Sequence, residues 1–290
     1  MRIVYHLGVH CTDDDRLIRC LLKNRATLAD QGIAIPSPTR YRKLLRDAAK
    51  QLRGARASLE SSAIIMDQII DEPTAERVVL SWTSFLNFPA YAVSDGLYGQ
   101  GGARLYGFTQ IFPDMEAEFH MAIRNPASFL PDLRQRMMSK GYQDVLQDVD
   151  PRTLLWSDTI RSIKMANPGV PMTIWCDEDA PLIWQEVLQA ISGHDPETRL
   201  EDDEELLADL MIPEGLTRYK TYCTQHPPQS VSQRRRIVTA FLEKFGQTEK
   251  LNAEAAAPGW SEDLIEELTQ AYWRDLDRIA RMPGVTMIEP

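Results

Sequence analysis

The stretch that decides the fold lies at the start of the chain, where residues 2–18 read RIVYHLGVHCTDDDRLI. Residues 2–7 are mostly apolar and predict a strand that ends at Gly8. Three consecutive acids at 13–15 then open an amphipathic helix with leucine and isoleucine at helical spacing, which ends at Gly32. A strand that passes through a short loop into a helix is the first part of a strand–helix–strand crossover unit.

The same alternation continues along the chain. Short apolar runs predict further strands or extended segments at residues 33–35, 76–82, 118–123, 171–176 and 284–288. Residues 39–70 have a mainly helical pattern. Strands that alternate with long helices require crossover connections and a parallel sheet covered on both faces. The sequence therefore predicts a single α/β domain over residues 1–290, with a mostly parallel sheet of about five strands flanked by helices.

One region departs from this alternation. Between residues 195 and 258 the sequence has helical patterns without a convincing strand. It also carries an acidic run at 201–205 and three consecutive arginines at 234–236. We interpret this region as a helical insertion or lid within the single domain.

Composition excludes several function classes. The 290 residues include 32 Lys and Arg against 42 Asp and Glu, a net charge of −10, and 43 % are hydrophobic. This is the composition of an ordinary globular protein, and its charge opposes binding to nucleic acid or to an anionic membrane. We expect neither a signal peptide nor a membrane span, because no stretch reaches about 18 consecutive apolar residues. The four cysteines lack CxxC spacing, which predicts reduced thiols and a cytoplasmic protein.

The loop after the first strand is the candidate binding site. In α/β proteins a phosphate at this position is held by backbone N–H groups and by the positive end of the helix dipole. His10 lies in this loop, near any ligand, and is therefore the candidate general base. His6 and His120 fall inside strand patterns, and we expect both to be core residues.

The loop and the helix after it carry a recognisable frame. It reads His6-Leu7-Gly8-Val9-His10-Cys11-Thr12-Asp13-Asp14-Asp15, followed by Asn24-Arg25, Leu28, Gly32-Ile33 and Pro36. This frame resembles the motif His-Leu-Gly-x-His-Lys-Thr-Gly-Thr-Thr of the bacterial sulfotransferase-like family, which has a P-loop, nucleotide-kinase-like fold. The resemblance implies transfer of a sulfo group from 3′-phosphoadenosine 5′-phosphosulfate to a small-molecule acceptor. It also implies that the donor binds at Gly8, Cys11, Thr12, Asp13, Asp14 and Asp15.

Four of these positions depart from the motif. Cys11 replaces the lysine, Asp13 the glycine, and Asp14 and Asp15 the paired hydroxyls. Carboxylates close to a phosphosulfate repel it. Three interpretations of the acids remain open: they cap the helix and offset its dipole, they hold a divalent cation together with His10, or they form an altered donor site. We assign no metal ligand.

A second part of the resemblance lies at residues 119–129. The family has an Arg-Asp/Asn-Pro element here, and the resemblance implies that its arginine, Arg124, binds the nucleotide 3′-phosphate. The serine that the family places eight residues further on is Asp132 in this chain. The alternative for Arg124 is a helix-start arginine paired with a neighbouring carboxylate. Asn125 and Pro126 also predict a helix N-cap followed by proline at the first helical position.

Two further charged clusters are either ligand sites or ordinary structural features of the fold. The strand at 171–176 ends at three acids, residues 177–179, which either share a ligand crevice with the first loop or cap a helix. Basic residues concentrate at 40–56, and their spacing places Arg42, Arg46, Arg53 and Arg56 near one helix face. This face is either a solvated surface or a site for an anion or an acidic partner.

Two functions follow from the sequence. The first is a sulfotransferase-like transferase with His10 as base and Arg124 on the nucleotide. The second is a catalytically inactive relative that binds a ligand or a partner. The sequence predicts neither the acceptor nor the oligomeric state.

Overall fold

The computed structural model describes residues 1–72, 74–251 and 260–290. Its centre is a six-stranded sheet in the order β2-β3-β1-β4-β5-β6, in which every neighbouring pair is parallel. The strands are β1 (Arg2–His6), β2 (Ile33–Ala34), β3 (Arg77–Ser81), β4 (Glu116–Ile123), β5 (Met172–Cys176) and β6 (Val285–Ile288). The predicted α/β fold with a mostly parallel sheet flanked by helices is confirmed, with six strands in place of about five.

Helices connect and cover the strands. Their bounds are α1 (Arg16–Lys23), α2 (Arg25–Ala29), α3 (Pro38–Leu52), α4 (Leu59–Ile69), α5 (Gly101–Thr109), α6 (Pro126–Ser139), α7 (Trp156–Ala166), α8 (Ala180–Ser192), α9 (Glu205–Leu210), α10 (Pro213–Gln225), α11 (Val231–Phe245), α12 (Thr248–Leu251) and α13 (Glu262–Ile279). Within the described ranges, no helix is both long and apolar enough to cross a membrane.

Both faces of the sheet are buried. Alternate strand residues such as Tyr5 and Leu80 join the larger core, to which α3 to α7 contribute. Their neighbours Val4 and Val79 face the other way, into a second core with α1 and α8. A parallel strand buried on both faces reads as a continuous apolar run, which is why these strands are visible in the sequence.

The first predicted helix is interrupted in the structure. The pattern from the acids to Gly32 suggests one helix, but α1 ends at Lys23 and α2 begins at Arg25. Between them the Asn24 amide donates to the carbonyl oxygens of Cys20 (2.8 Å) and Glu201 (3.0 Å) and accepts from the backbone N–H of Glu201 (2.7 Å). Because the two long-range hydrogen bonds with Glu201 hold the amide, they override the local helical pattern.

In the described part of the region at 195–258, residues 195–204 form turns and irregular structure, and helices follow from residue 205. Helices α9 to α12 occupy it up to residue 251, and residues 252–259 lie outside the described residues. Arg234 and Arg235 both form ion pairs with Glu186 of α8, at 2.5 and 3.0 Å. These two arginines therefore fix α11 to α8 and do not reach toward the loop after β1. The lid function of this region stays a prediction.

The sheet order places a crevice above β1. The chain leaves β1 toward β2 and β3 on one side, whereas β4 and β5 lie on the other side. Loops that leave neighbouring strands in opposite directions open a crevice at the carboxyl edge of the sheet, where α/β proteins bind ligands. The loops after β1 and β4, which carry the candidate residues, flank this crevice.

Candidate functional site

The loop between β1 and α1 has an unusual backbone. Gly8 has φ +41°, a left-handed conformation that glycine adopts without strain. Cys11, Asp14 and Asp15 also have positive φ, which aspartate tolerates better than most residues. Asp13, at the position of the family's glycine, is not among the residues with positive φ. The aspartate at this position is therefore compatible with the loop conformation.

Backbone donors line the loop. Among the described residues, no group accepts a hydrogen bond from the backbone N–H of Cys11, Asp13, Asp14 or Asp15. Successive free N–H groups before a helix form a concave donor set of the kind that holds anions. The Thr12 hydroxyl does not add to this set, because it donates to the carbonyl oxygen of Val9 at 2.6 Å.

The three acids of the loop have three different partners. Asp13 is buried, and its Oδ2 accepts from the backbone N–H of Leu17 (3.0 Å) in the first turn of α1, whose N-cap residue is Asp15. Asp14 accepts hydrogen bonds from Nη1 and Nη2 of Arg136 from α6 (2.7 and 2.9 Å), and this hydrogen bonding lowers the pKa of Asp14. Asp15 forms a similar bidentate pair with Arg42 from α3 (2.7 and 3.1 Å). Among the carboxylate oxygens of these three acids, only Oδ1 of Asp13 is buried without a partner in the described residues.

Arg124 crosses the crevice from the end of β4. Its Nη1 donates to the carbonyl oxygen of Cys11 (2.7 Å), which joins the β4 loop to the β1 loop. The same nitrogen lies 2.7 Å from Oδ2 of Asp132, and Nε donates to the Ser128 hydroxyl (3.2 Å). Asp132, the residue that replaces the family's serine, therefore neutralises the arginine that the resemblance assigns to the 3′-phosphate. The predicted N-cap is also present, since Asn125 Oδ1 accepts from the backbone N–H of Ala127 (3.0 Å).

His10 is buried against Tyr98. Its Nδ1 lies 2.7 Å from the Tyr98 hydroxyl, and the two rings stack with their centroids 5.9 Å apart. Burial lowers the pKa of His10 to about 4 and raises the pKa of Tyr98, so both side chains are neutral near pH 7. The backbone N–H of His10 also approaches the Tyr98 oxygen (3.4 Å).

These contacts set the tautomer of His10. The Tyr98 hydroxyl keeps its proton, and Nδ1 is its acceptor within the described part of the chain. The proton of the neutral His10 ring therefore lies on Nε2, which is buried and has no partner among the described residues. In this state His10 offers an N–H donor.

The acidic turn after β5 borders the same crevice. Burial raises the pKa of Asp177 to about 7, and the neighbouring charges of Arg124, Glu178 and Asp13 also act on it. Glu178 accepts hydrogen bonds from the backbone N–H of Asn125 (2.6 Å) and from the Tyr272 hydroxyl (3.2 Å), so it joins the β5 turn to the β4 loop. In the described ranges no group of three His, Cys, Asp or Glu side chains has the geometry to hold a metal ion.

The remaining sequence candidates lie in the core. Cys11 is buried, and burial raises the pKa of its thiol to about 11, which disfavours the reactive thiolate. His6 contacts the Ser81 hydroxyl (2.8 Å) and His120 contacts Glu118 (2.6 Å). Burial lowers the pKa of both histidines, and each is 1 % exposed. Both are thus core residues, as the strand pattern indicates.

Two residues that shape the site have no clear signal in the sequence. Arg136 lies 122 positions from its partner Asp14, and Tyr98 lies 88 positions from His10. Arg42 was visible as a member of the basic helix face, but only the fold brings it to Asp15. The departures from the family motif indicate that the site is altered. The arginines that neutralise the acids of the loop are identified only from the structure.

Comparison with known proteins gives a limited result. No protein-family model matches the chain, and no curated protein matches it. One similar solved structure is a sulfotransferase domain from the curacin biosynthetic pathway, with 13 % identity over 83 % of this chain and 96 % of that chain and a TM-score of 0.38. Another is a sulfotransferase domain from the olefin synthase of Synechococcus PCC 7002, with 15 % identity over 83 % of this chain and 94 % of that chain and a TM-score of 0.36. The expected resemblance to sulfotransferases thus recurs among solved structures, and at these TM-scores it assigns no role to any residue.

Proposed function

We propose that this chain is a ligand-binding protein on a sulfotransferase-like scaffold, and that it does not bind 3′-phosphoadenosine 5′-phosphosulfate as a transferase does. One observation carries the proposal. The arginines that reach the loop are each paired with a carboxylate: Arg16 with Asp209, Arg42 with Asp15, Arg124 with Asp132 and Arg136 with Asp14. The loop therefore has no net positive charge to offer a phosphosulfate.

The magnitude of the repulsion supports this proposal. Two like unit charges about 5 Å apart repel by about 3 kcal/mol at an effective dielectric constant near 20. The unpartnered Oδ1 of Asp13 lies in the loop itself, and Cys11 supplies no charge where the family has lysine. The residues present therefore do not fit the sulfate donor, and we derive no reaction step through it.

The transferase alternative is favoured by a different observation. Free backbone N–H groups remain at Cys11, Asp13, Asp14 and Asp15, and Arg124 already contacts the loop. In this alternative Gly8 and residues 11–15 bind the donor, Arg124 exchanges Asp132 for the 3′-phosphate, and His10 is the base. For His10 to act as a base through Nε2, its ring proton would have to lie on Nδ1 instead, with the Tyr98 oxygen as its acceptor.

Titration calorimetry with 3′-phosphoadenosine 5′-phosphate distinguishes the two functions. We expect no saturable heat from the parent protein at millimolar nucleotide, with folding verified by circular dichroism. Saturable binding by the parent protein would refute the proposal.

A double variant provides the positive arm of this experiment. Cys11→Lys with Asp13→Gly restores the family's charge and glycine, and we expect it to gain nucleotide affinity. The glycine removes the carboxylate that accepts from Leu17 in the first turn of α1, which costs about 1 kcal/mol of stability, so the free energy of unfolding of the variant is measured in parallel.

We further propose a cytoplasmic location and a small-molecule ligand. Cys11, Cys20, Cys176 and Cys223 are all free thiols, as is usual in a reducing compartment. Labelling the thiols of the protein as purified from its own cells, before any reductant is added, tests this proposal. Four labelled thiols after denaturation are expected, and disulfide-protected cysteines would contradict the location.

A further inference from the structure

Arg104, on α5, differs from the arginines around the loop. It is partly buried, yet no carboxylate in the described ranges pairs with it. Its Nη2 donates to the carbonyl oxygen of Ser84 (3.2 Å), and its Nε is buried without an acceptor among the described residues. Burial lowers the pKa of Arg104, and no neighbouring acid offsets the effect. A partly buried guanidinium without a counter-ion is unfavourable, and it is the state that a bound anion would relieve.

The position of Arg104 connects it to the candidate site. Ser84 lies just beyond β3, which pairs directly with β1 in the sheet. The neighbouring Thr83 borders the β1 loop, since its Cγ2 lies 3.4 Å from where a Cβ on Gly8 would be. The guanidinium therefore lies at the carboxyl edge of the sheet, on the β3 side of the crevice.

An exposed aromatic ring lies next to this cation. The guanidinium carbon of Arg104 is 5.5 Å from the centroid of the Phe88 ring, and Phe88 is 39 % exposed. Trp82 packs edge-on against Phe88, with the ring centroids 6.5 Å apart, and so fixes its orientation. A cation beside an exposed, oriented ring is suited to an anion with an apolar body, because the charge binds the anion and the ring contacts the body.

We infer that Arg104 anchors the carboxylate of a small apolar ligand whose body lies against Phe88. The inference names the ligand class for the proposed binding function and rests on that function. The hydrogen bond from Arg104 to Ser84 alone would give the residue only a structural role. A structural role predicts a change in stability when Arg104 is replaced, and it predicts no response to carboxylates.

The test uses benzoate as the probe and benzamide as its neutral counterpart, with the whole protein at constant ionic strength. We expect saturable benzoate binding by calorimetry or ligand-observed nuclear magnetic resonance, and at least tenfold weaker binding of benzamide. Arg104→Gln should weaken benzoate binding by about tenfold or more, and Arg104→Lys should retain part of the affinity.

Arg274→Gln is the matched control. Arg274 is exposed on α13, donates to a backbone carbonyl oxygen as Arg104 does, and has no carboxylate partner among the described residues. We expect its replacement to leave benzoate binding unchanged.

Two outcomes overturn the inference: no saturable benzoate binding by the parent protein, or equal binding by the parent and by folded Arg104→Gln. Should Arg104→Gln not fold, the comparison of benzoate with benzamide on the parent protein decides the question without a variant. The result is independent of the nucleotide titration. Nucleotide binding would refute the proposed function, whereas absence of benzoate binding alone removes only the role of Arg104.

Discussion

Replacement of Asp132 by serine frees Arg124 and tests whether this ion pair closes a nucleotide site. Asp132 Oδ2 lies 2.7 Å from Arg124 Nη1, and the two side chains are 34 % and 15 % exposed. Serine keeps a hydrogen-bonding group and removes the charge. Loss of a partly exposed ion pair costs up to about 1 kcal/mol of stability, so the variant is expected to fold.

The gain in affinity follows from the removed charge. A phosphate on Arg124 would lie about 5 Å from the Asp132 carboxylate, where each phosphate charge is repelled by about 3 kcal/mol at an effective dielectric constant near 20. Screening by salt reduces this to about 2 kcal/mol, which corresponds to about a 30-fold change in Kd. The variant is therefore expected to bind the nucleotide about 30-fold more tightly than the parent protein, whose own binding lies beyond the millimolar range.

Calorimetry with two nucleotides assigns the gain to the 3′-phosphate. We expect Asp132→Ser to bind 3′-phosphoadenosine 5′-phosphate more tightly than the parent protein does, with no gain for adenosine 5′-monophosphate. Asp144→Ser is the matched control, since Asp144 pairs with Arg134 at 2.8 Å, with side chains 28 % and 29 % exposed. The reasoning fails if Asp132→Ser gains no affinity, if it gains equally for both nucleotides, or if the control variant gains as much.

The remaining predictions concern pH and cations. The pKa of His10 is about 4 in the folded protein and near 6.5 when unfolded, so its contribution to stability is complete above pH 6.5 and is lost as the pH falls toward 4. We therefore expect the free energy of unfolding in urea to fall by about 2 kcal/mol less between pH 7 and pH 4.5 for His10→Gln than for the parent protein. Equal losses in the two proteins would contradict the burial of a neutral His10. The pKa of Asp177 is raised to about 7, so its contribution is complete below its unfolded pKa and is lost as the pH rises through 7. Asp177→Asn should thus gain stability relative to the parent protein as the pH rises from 5 to 8. A constant difference in the free energy of unfolding between the two proteins would contradict the raised pKa of Asp177. Because arginines occupy Asp14 and Asp15, millimolar magnesium, calcium or manganese should leave the thermal midpoint unchanged, and a clear rise in any of them would reopen the cation interpretation.

The sequence predicts the sheet well because its strands are buried on both faces. In an α/β protein, short apolar runs such as Val78 to Leu80 indicate a parallel strand that is buried on both faces of the sheet. All six predicted segments contain a strand. Helix boundaries were less predictable, since Asn24 interrupts the first helix through contacts with Glu201, which is 177 positions away.

The candidate site was predictable in position but not in charge. Gly8 and the acids after it mark the loop, and Asp132 marks the loss of the family's serine. The compensation of Asp14 and Asp15 by Arg136 and Arg42 depends on where α6 and α3 pack, which local pattern does not encode. A local count of acids therefore overestimates the negative charge of the loop.

The contact between Asn24 and Glu201 has a mechanical consequence. Together with the pairs Lys23–Asp202 and Arg16–Asp209, it fastens the region around α9 to both ends of α1. Any displacement of α9 is thus transmitted to α1, whose first turn supports the loop after β1. A rearrangement of the helical region around α9 would therefore change the conformation of the loop after β1, because the two parts would move together.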